Sequence, residues 1–362
     1  MSGTSLDGVD AVLVEIDQDG LPQLVSKTQK AFAGDLRARL LALNTAGPDE
    51  IHRCAIAANE LADIYAIAVN QLLHDSGKQA SQIKAIGAHG QTVRHRPDLG
   101  YTLQINAPAR LAELTGIGVV ADFRSRDIAA GGQGAPLVPA FHAKVFGVSS
   151  THSSTRVILN LGGIANVTIL HPGGDVLGFD TGPANMLMDA WCERHTGDPY
   201  DDAGRWGAGG QANPALLDQL IHSQPWFSLP HPKSTGRDMF HLVWLDSELA
   251  RFAQPLKAQD VQATLQHLTA VTVMDALRRA GVSAPEMFVC GGGARNIALL
   301  SLLKSLGARS VEPTDALGVP AQDVEAVAFA WLAWTHIQAR TGNLPQVTGA
   351  KDSRILGAFW PA

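Results

Sequence analysis

The residues able to do chemistry sit on glycine-rich turns. GFDTGPANMLMD, Gly178 to Asp189, sets the carboxylate of Asp180 between apolar Phe179 and a Gly-Pro turn, and an apolar helical pattern starts at Met186. A turn that leads into a helix leaves backbone N–H groups and a positive helix end beside that carboxylate. Asp180 is therefore a candidate general base, and a helix-capping aspartate is the alternative. Upstream, GTSLDGVD runs through Gly3, Thr4, Ser5, Leu6, Asp7, Gly8, Val9 and Asp10. Small residues let backbone approach a phosphate, and the Thr4 and Ser5 hydroxyls can donate to it. Asp7 and Asp10 could hold Mg²⁺ through water, because Mg²⁺ favours oxygen ligands and keeps its waters. The alternative is a plain hairpin turn, and the lysine of a P-loop is missing. LNLGGIANVTI carries Gly162 and Gly163 between two strand patterns, as a tight turn would. CGGGARN carries Gly291, Gly292 and Gly293 after a buried strand pattern, leaving bare backbone where adenosine or phosphate could rest. It is not GxGxxG, which argues against NAD.

Two further stretches could hold a polar substrate. HGQTVRH (His89–His95) ends a short strand pattern, and DFRSRD (Asp122–Asp127) follows the buried strand GVVAD. A satisfied core histidine and a solvated charge cluster are the alternatives. Glu325 in EAVAFAWLA could face a cleft, or be a helix-start carboxylate favoured by the dipole.

The elements that must position these residues alternate strand and helix. Val9–Ile16 reads as a strand, Asp19-Gly20 as a hairpin turn and Gln23–Ala31 as its partner. Asp49 to Ser76 is a long amphipathic helix. Ala121 to Pro139 is dense in Gly, Pro, Arg and Asp, so it reads as a long functional loop and the hinge between two lobes. Strands follow at Arg156–Leu161, Ala165–Leu170 and Val176–Phe179, the last leading into Asp180. Gln224–Phe240, with Lys233 and Arg237, reads as a loop, and Gly342–Ala362 as mostly coil. The strand–glycine turn–strand plan occurs twice, as a weak internal duplication would leave it.

Bulk properties bound the function. The chain has 362 residues, is 46% hydrophobic and carries a net charge of −6, so it has no electrostatic footprint for nucleic acid. No apolar run approaches the ~18 residues of a membrane span. No export signal opens the chain, and Cys54, Cys192 and Cys290 are odd in number and far apart. The expectation is a soluble cytoplasmic protein with reduced thiols. The thirteen histidines show no zinc-site spacing.

Taken in order, the glycine turns and Asp180 resemble the two-lobed nucleotide clamp of actin, heat-shock chaperones and sugar kinases. The match is closer to one family. MSGTSLDGVD, HGQTVRH, VVADFRSRDIAAGGQGAPLVPAFH, LNLGGIANVT, GFDTGPANMLMDAW, KSTGRDMF, VCGGGARN and NLPQVTGA resemble the anhydro-N-acetylmuramic acid kinases over essentially the whole chain. The resemblance implies an α/β, actin-like fold of two lobes, each a mixed sheet flanked by helices, with ATP and substrate in a central cleft. Lobe I is expected over 1–135 and 342–362, and lobe II over 136–341. It implies an ATP- and Mg²⁺-dependent kinase that opens the 1,6-anhydro ring of anhydro-N-acetylmuramic acid and phosphorylates O6, in recycling of cell-wall peptidoglycan. Asp180 is then the base that activates water. His89, Thr92, Asp122, Arg124 and Glu325 lie at the sugar, and Gly3–Asp10, Gly162-Gly163 and Gly291–Gly293 at the nucleotide. A homodimer is implied too.

Two positions depart from the family's pattern, with consequences for loop geometry: Ala184 stands for a usual glycine, and Asn106-Ala107 for a glycine followed by Asn or Asp. The family also has a short apolar strand before MSGTS, so the working protein is expected to begin several residues earlier, and Val9–Ile16 is expected beside an unfilled strand position. The competing readings are a kinase for another amino or acidic sugar, and an actin-like or chaperone-like nucleotide switch with a protein partner.

Overall fold

The computed structural model describes residues 1–3, 6, 8–149, 154–231, 233–236, 239–252 and 254–362. Its contacts divide the chain into two units, Met1–Phe146 with Asp323–Ala362, and Gly147–Gln322. The division differs from the expected 135 and 342. Helix Val138–Phe146 belongs with the first unit because Phe141 meets the ring of Trp331 at 6.0 Å, and Trp331 Nε1 in turn donates to the Gly20 carbonyl at 3.2 Å from helix Val324–Ile337. That last helix, and Glu325 with it, is thus in the first unit rather than the second.

In the first unit, β1 (Gly8–Ile16) and β2 (Pro22–Ala31) form the expected antiparallel hairpin. A Cβ at Gly8 would collide with the Lys30 carbonyl, so only glycine lets the two strands start this close. The helix Glu50–Ser76 buries Leu61, Ala62, Tyr65, Ala68 and Leu72 on one face, as its 3.6-residue pattern predicts. It stops at Gly77, whose φ of 66° a side chain would oppose, and the Lys78 N–H closes the turn on the Leu73 carbonyl at 3.1 Å.

Four short strands carry the polar stretches. β3 (Ile86–Ala88) ends at His89. β4 (Gln91–Arg96) and β5 (Tyr101–Ile105) make a hairpin. β6 (Val119–Ala121) runs parallel to β3. On its other side β6 pairs antiparallel with a C-terminal strand, Ala358–Trp360, so the end of the chain is not all coil. A helix, Ser125–Ala129, interrupts the stretch expected to be one irregular loop.

The outer edge of β1 meets no strand among the described residues beyond one pair. The Met1 ammonium donates to the Asp10 carbonyl at 2.8 Å and the Asp10 N–H to the Met1 carbonyl at 2.9 Å. An apolar groove of about 540 Å³ follows that edge, walled by β1, β3, Tyr65 and Leu72 of the long helix, and Ala330 and Trp334 of helix Val324–Ile337.

The second unit is built on one five-stranded mixed sheet in the order β11–β10–β7–β8–β9. Its strands are β7 (Arg156–Leu161), β8 (Ile164–Leu170), β9 (Val176–Pro183), β10 (Glu286–Cys290) and β11 (Ser310–Pro313). β10 is parallel to β7 and β11, while β8 is antiparallel to β7 and β9. Val157, Ile158, Leu159 and Leu161 of β7 are all fully buried. A strand covered on both faces reads as a continuous apolar run, and this one does. The helix Ala258–Arg279 packs on β8 and β9.

Candidate active site

Asp180 lies inside β9, opposite Asn166 of β8, not on a turn as expected and not at a helix cap. The strand runs four residues further than its apolar pattern because Asp180, Gly182 and Pro183 still pair with β8, Thr181 being the extra residue of a bulge opposite Ala165/Asn166. A loop with Lys233 and Thr235 closes over the aspartate. The Asp180 N–H donates to the Lys233 carbonyl at 3.0 Å, and the Thr235 N–H donates to Oδ2 at 2.9 Å. Burial raises the carboxyl to a pKa of about 6, against the pull of the Thr235 N–H and the Lys233 charge. Lys233 itself is lowered to about 8, by burial first and then by Arg279. Its Nζ sits 4.2 Å from the Trp226 ring centroid and donates to the Trp226 and Phe227 carbonyls. The sequence placed Lys233 on a loop but offered no spacing that ties it to Asp180.

The turn Gly162-Gly163 joins β7 to β8, and its carbonyls take up the start of the next helix, Asn185–Thr196. Gly163 O accepts from Ala184 N at 2.9 Å and Met186 N at 3.2 Å, and Gly162 O accepts from Asn185 N at 3.0 Å. The first two N–H groups of that helix are therefore already paired. Ala184, the departure from glycine, has φ −125° and ψ −113°, outside the helical and extended regions. Gly291–Gly293 follows β10 and folds back on the end of β7. Gly291 has φ +81°, and a Cβ there would meet the Leu161 carbonyl at 2.9 Å; a Cβ on Gly293 would meet that of Leu161 at 2.5 Å. Gly292 has ordinary space, its nearest neighbour being Asn185 Nδ2 at 3.5 Å. Asn185 Nδ2 also donates to Leu161 O at 2.9 Å. One end of the sheet thus gathers both glycine turns, Asn185 and the strand bearing Asp180.

In the first unit two of the sugar candidates, His89 and Glu325, act on a third, Arg124. His89 is buried, and its Nε2 accepts from Arg124 Nε at 3.1 Å and Nη2 at 3.0 Å. Its Nδ1 donates to the Gly90 carbonyl at 2.7 Å. That tautomer is neutral, and burial followed by the Arg124 charge holds the imidazole well below its ordinary pKa. Arg124 is lowered to about 10 by burial, while Glu325 and then Asp127 support its charge. Asp122 leaves β6 with φ 58° and accepts from Ser125 Oγ at 2.5 Å. Thr92, on β4, accepts from Gln104 Nε2 at 3.2 Å, which leaves its hydroxyl proton free to donate. No bond joins Thr92 or Asp122 to the His89–Arg124 pair among the described residues. Asn106, the second departure, bonds the end of β3 through Ala88 O at 3.3 Å.

Of GTSLDGVD, Thr4, Ser5 and Asp7 lie outside the described residues. Gly3 and Leu6 close a turn, Leu6 N to Gly3 O at 3.3 Å, and Leu6 and Val9 are buried, so these two side chains serve the core. Asp10 pairs through its backbone with Met1, and its charge raises the pKa of the Met1 ammonium, which burial lowers to about 6. Among the described residues no three His, Cys, Asp or Glu side chains cluster as a metal site, and Asp7 of the expected Mg²⁺ position lies outside those residues. The three cysteines are free thiols, and no described helix is long and apolar enough to cross a membrane.

Comparison with known proteins places this geometry. The family model for anhydro-N-acetylmuramic acid kinase matches residues 1–362. The anhydro-N-acetylmuramic acid kinase of Bordetella petrii is 58% identical over 363 residues, covering 100% of this chain and 95% of its own. That of Paraburkholderia xenovorans is 53% identical over 367 residues, covering 100% and 96%. Likeness to solved structures is looser: component A of the Acidaminococcus fermentans (R)-2-hydroxyglutaryl-CoA dehydratase aligns at 12% identity with a TM-score of 0.46, covering 89% of this chain and 96% of that one. The whole-length model match and relatives above half identity lead to one conclusion: the chain belongs to the anhydro-N-acetylmuramic acid kinase family.

Proposed function

We propose that this protein is an ATP-dependent kinase that opens the 1,6-anhydro ring of anhydro-N-acetylmuramic acid with water and phosphorylates the released O6. The products are N-acetylmuramic acid 6-phosphate and ADP, in peptidoglycan recycling. The observation that carries the reading is Asp180, a carboxylate raised to about 6 and anchored through one oxygen by Thr235, in a chain of this family. A base needs a pKa near the working pH and a fixed direction, and Asp180 has both.

In the reaction Asp180 takes a proton from water as the oxygen attacks C1. The C1–O6 bond breaks, and its electron pair leaves O6 to attack the γ-phosphorus. The bond from that phosphorus to the β–γ bridging oxygen then breaks, and the electrons leave with ADP. No second carboxylate is needed to protonate O6, because phosphorus receives it. This separates the chemistry from the two-carboxylate glycosidase scheme. Arg124, Thr92, Asp122 and Glu325 take the sugar's polar groups, with His89 holding Arg124 beside them. Gly3–Asp10, Gly162-Gly163 and Gly291–Gly293 take the nucleotide, with Mg²⁺ neutralising its phosphates when bound. A homodimer and a cytoplasmic location complete the proposal. Both follow from the family, and light scattering tests the first.

The deciding assay is ADP release with and without the anhydro sugar. Sugar-dependent release that falls roughly 10³-fold in Asp180→Asn, with ATP binding retained, is expected for loss of a general base. ADP release indifferent to sugar but stimulated by a peptide would replace the reading with a nucleotide switch.

A further inference from the structure

A guanidinium has five N–H donors. Arg124 aims Nε and one Nη2 donor at His89 and one Nη1 donor at the Gly134 carbonyl, at 2.9 Å. One N–H remains on each terminal nitrogen, and such a pair suits two oxygens of a ligand. Its direction depends on where Gly134 is held.

Gly134 is held by Asp127. This aspartate, on helix Ser125–Ala129, is fully buried. Its Oδ2 accepts from the Gly134 N–H at 2.8 Å, and its Oδ1 from Asn343 Nδ2 at 2.6 Å and Thr348 Oγ1 at 2.7 Å. All three donors are neutral groups. A buried carboxylate held only by such donors costs more desolvation than an apolar side chain would, so stability alone does not account for it. Its charge also supports that of Arg124. The C-terminal segment is fixed to the same loop by backbone bonds, Gln133 N to Thr348 O at 2.7 Å and Lys351 N to Ala130 O at 2.9 Å. The Arg354 N–H on Asn343 Oδ1, at 2.6 Å, leaves the Asn343 amide nitrogen for Asp127.

We infer that Asp127 is a positioning residue for Arg124, and that Asn343 and Thr348 set sugar recognition through it. The relay runs from Thr348 and Asn343 to Asp127, then Gly134, then the Arg124 fork. This deepens the sugar-kinase reading and rests on it.

The test is a pair at one position. Thr348→Val removes a donor with little change of shape, and Thr348→Ser keeps it. Steady-state kinetics with anhydro sugar and ATP should show the KM for sugar raised about tenfold in Thr348→Val, the scale of losing one hydrogen bond to a charged group. The kcat and the KM for ATP should stay within about twofold, and Thr348→Ser should match the unmodified chain. Asp127→Asn sets an amide against the same donors and should exceed Thr348→Val. If it does not fold, the Thr348 pair still decides. A lower melting temperature with an unchanged sugar KM, or equal losses for sugar and ATP, overturns the relay. An unmodified chain without sugar-dependent turnover overturns the sugar reading instead. In that event the Arg124 Nε–H NMR signal decides the relay: it should shift in Thr348→Val but not in Thr348→Ser, and an unmoved signal overturns it.

Discussion

The Thr235 N–H donates to Oδ2 of Asp180 at 2.9 Å, from a loop more than fifty residues downstream in the chain. The same loop takes the Asp180 N–H on the Lys233 carbonyl. A carboxylate tied by one oxygen keeps the other for a proton. Burial sets its pKa at about 6, so the base is charged above that pH and protonated below it. The pH profile of kcat/KM is therefore expected to lose activity on the acid side with an apparent pKa near 6. Lys233→Met keeps the stem against Trp226 and removes a charge that lowers the Asp180 pKa, so its acid limb should move up. An acid limb near 4, or one unmoved in Lys233→Met, would take the base role from Asp180.

His89 serves Arg124 as an acceptor, which requires a neutral ring. Its folded pKa lies well below 6.5. As pH falls through 6.5 the unfolded chain gains a proton that the folded chain refuses, so folding weakens on the acid side. His89→Gln can still accept from Arg124 and does not titrate. The difference in melting temperature between the two proteins should move in favour of the variant from pH 7 to pH 5. A constant difference would mean that His89 is not held neutral.

Asp189 behaves in the opposite sense. It lies on helix Asn185–Thr196, where burial and then the charge of Asp201 raise its pKa to about 7. Between pH 4 and 7 the folded chain keeps a proton that the unfolded chain loses, so stability declines across that window and stays lower above it. Asp189→Asn should melt above the unmodified protein at pH 8 and close to it at pH 4. Equal melting curves at pH 8 would contradict the strained carboxylate.

How much of this was legible in the sequence depends on the range of the interaction. The β1–β2 hairpin, the long helix and the β7–β8 glycine turn were, because period and turn chemistry are local. The Asp180 residue was found, but its setting was not. Gly182-Pro183 reads as a turn, and only pairing with β8 carries the strand through it. The grip of Thr235 on Asp180 and of Thr348 on Asp127 joins residues far apart in the chain, and no local spacing encodes it. Gly342–Ala362 looked like coil for the same reason: Ala358–Trp360 is a strand only because β6 offers it an edge. Glu325 was identified as a cleft candidate yet expected in the other unit, since the packing of its helix on β1 and β3, far away in the chain, decides where it belongs.

The three glycines after β10 separate a packing role from a binding role. At Gly293 a Cβ would sit 2.5 Å from the Leu161 Cβ, in the fully buried end of β7. Gly293→Ala is expected to lose about 1–3 kcal/mol, the usual cost of overpacking, and to lower the melting temperature by several degrees. Gly292 faces ordinary space, with Asn185 Nδ2 at 3.5 Å, and is not in the left-handed region. Gly292→Ala should therefore melt as the unmodified protein does. If the nucleotide rests on this backbone, the added methyl group occupies the surface it needs, and the KM for ATP should rise several-fold while that for sugar stays. Unchanged ATP affinity in Gly292→Ala would leave these glycines as a packing device for β7 and move the nucleotide contact elsewhere.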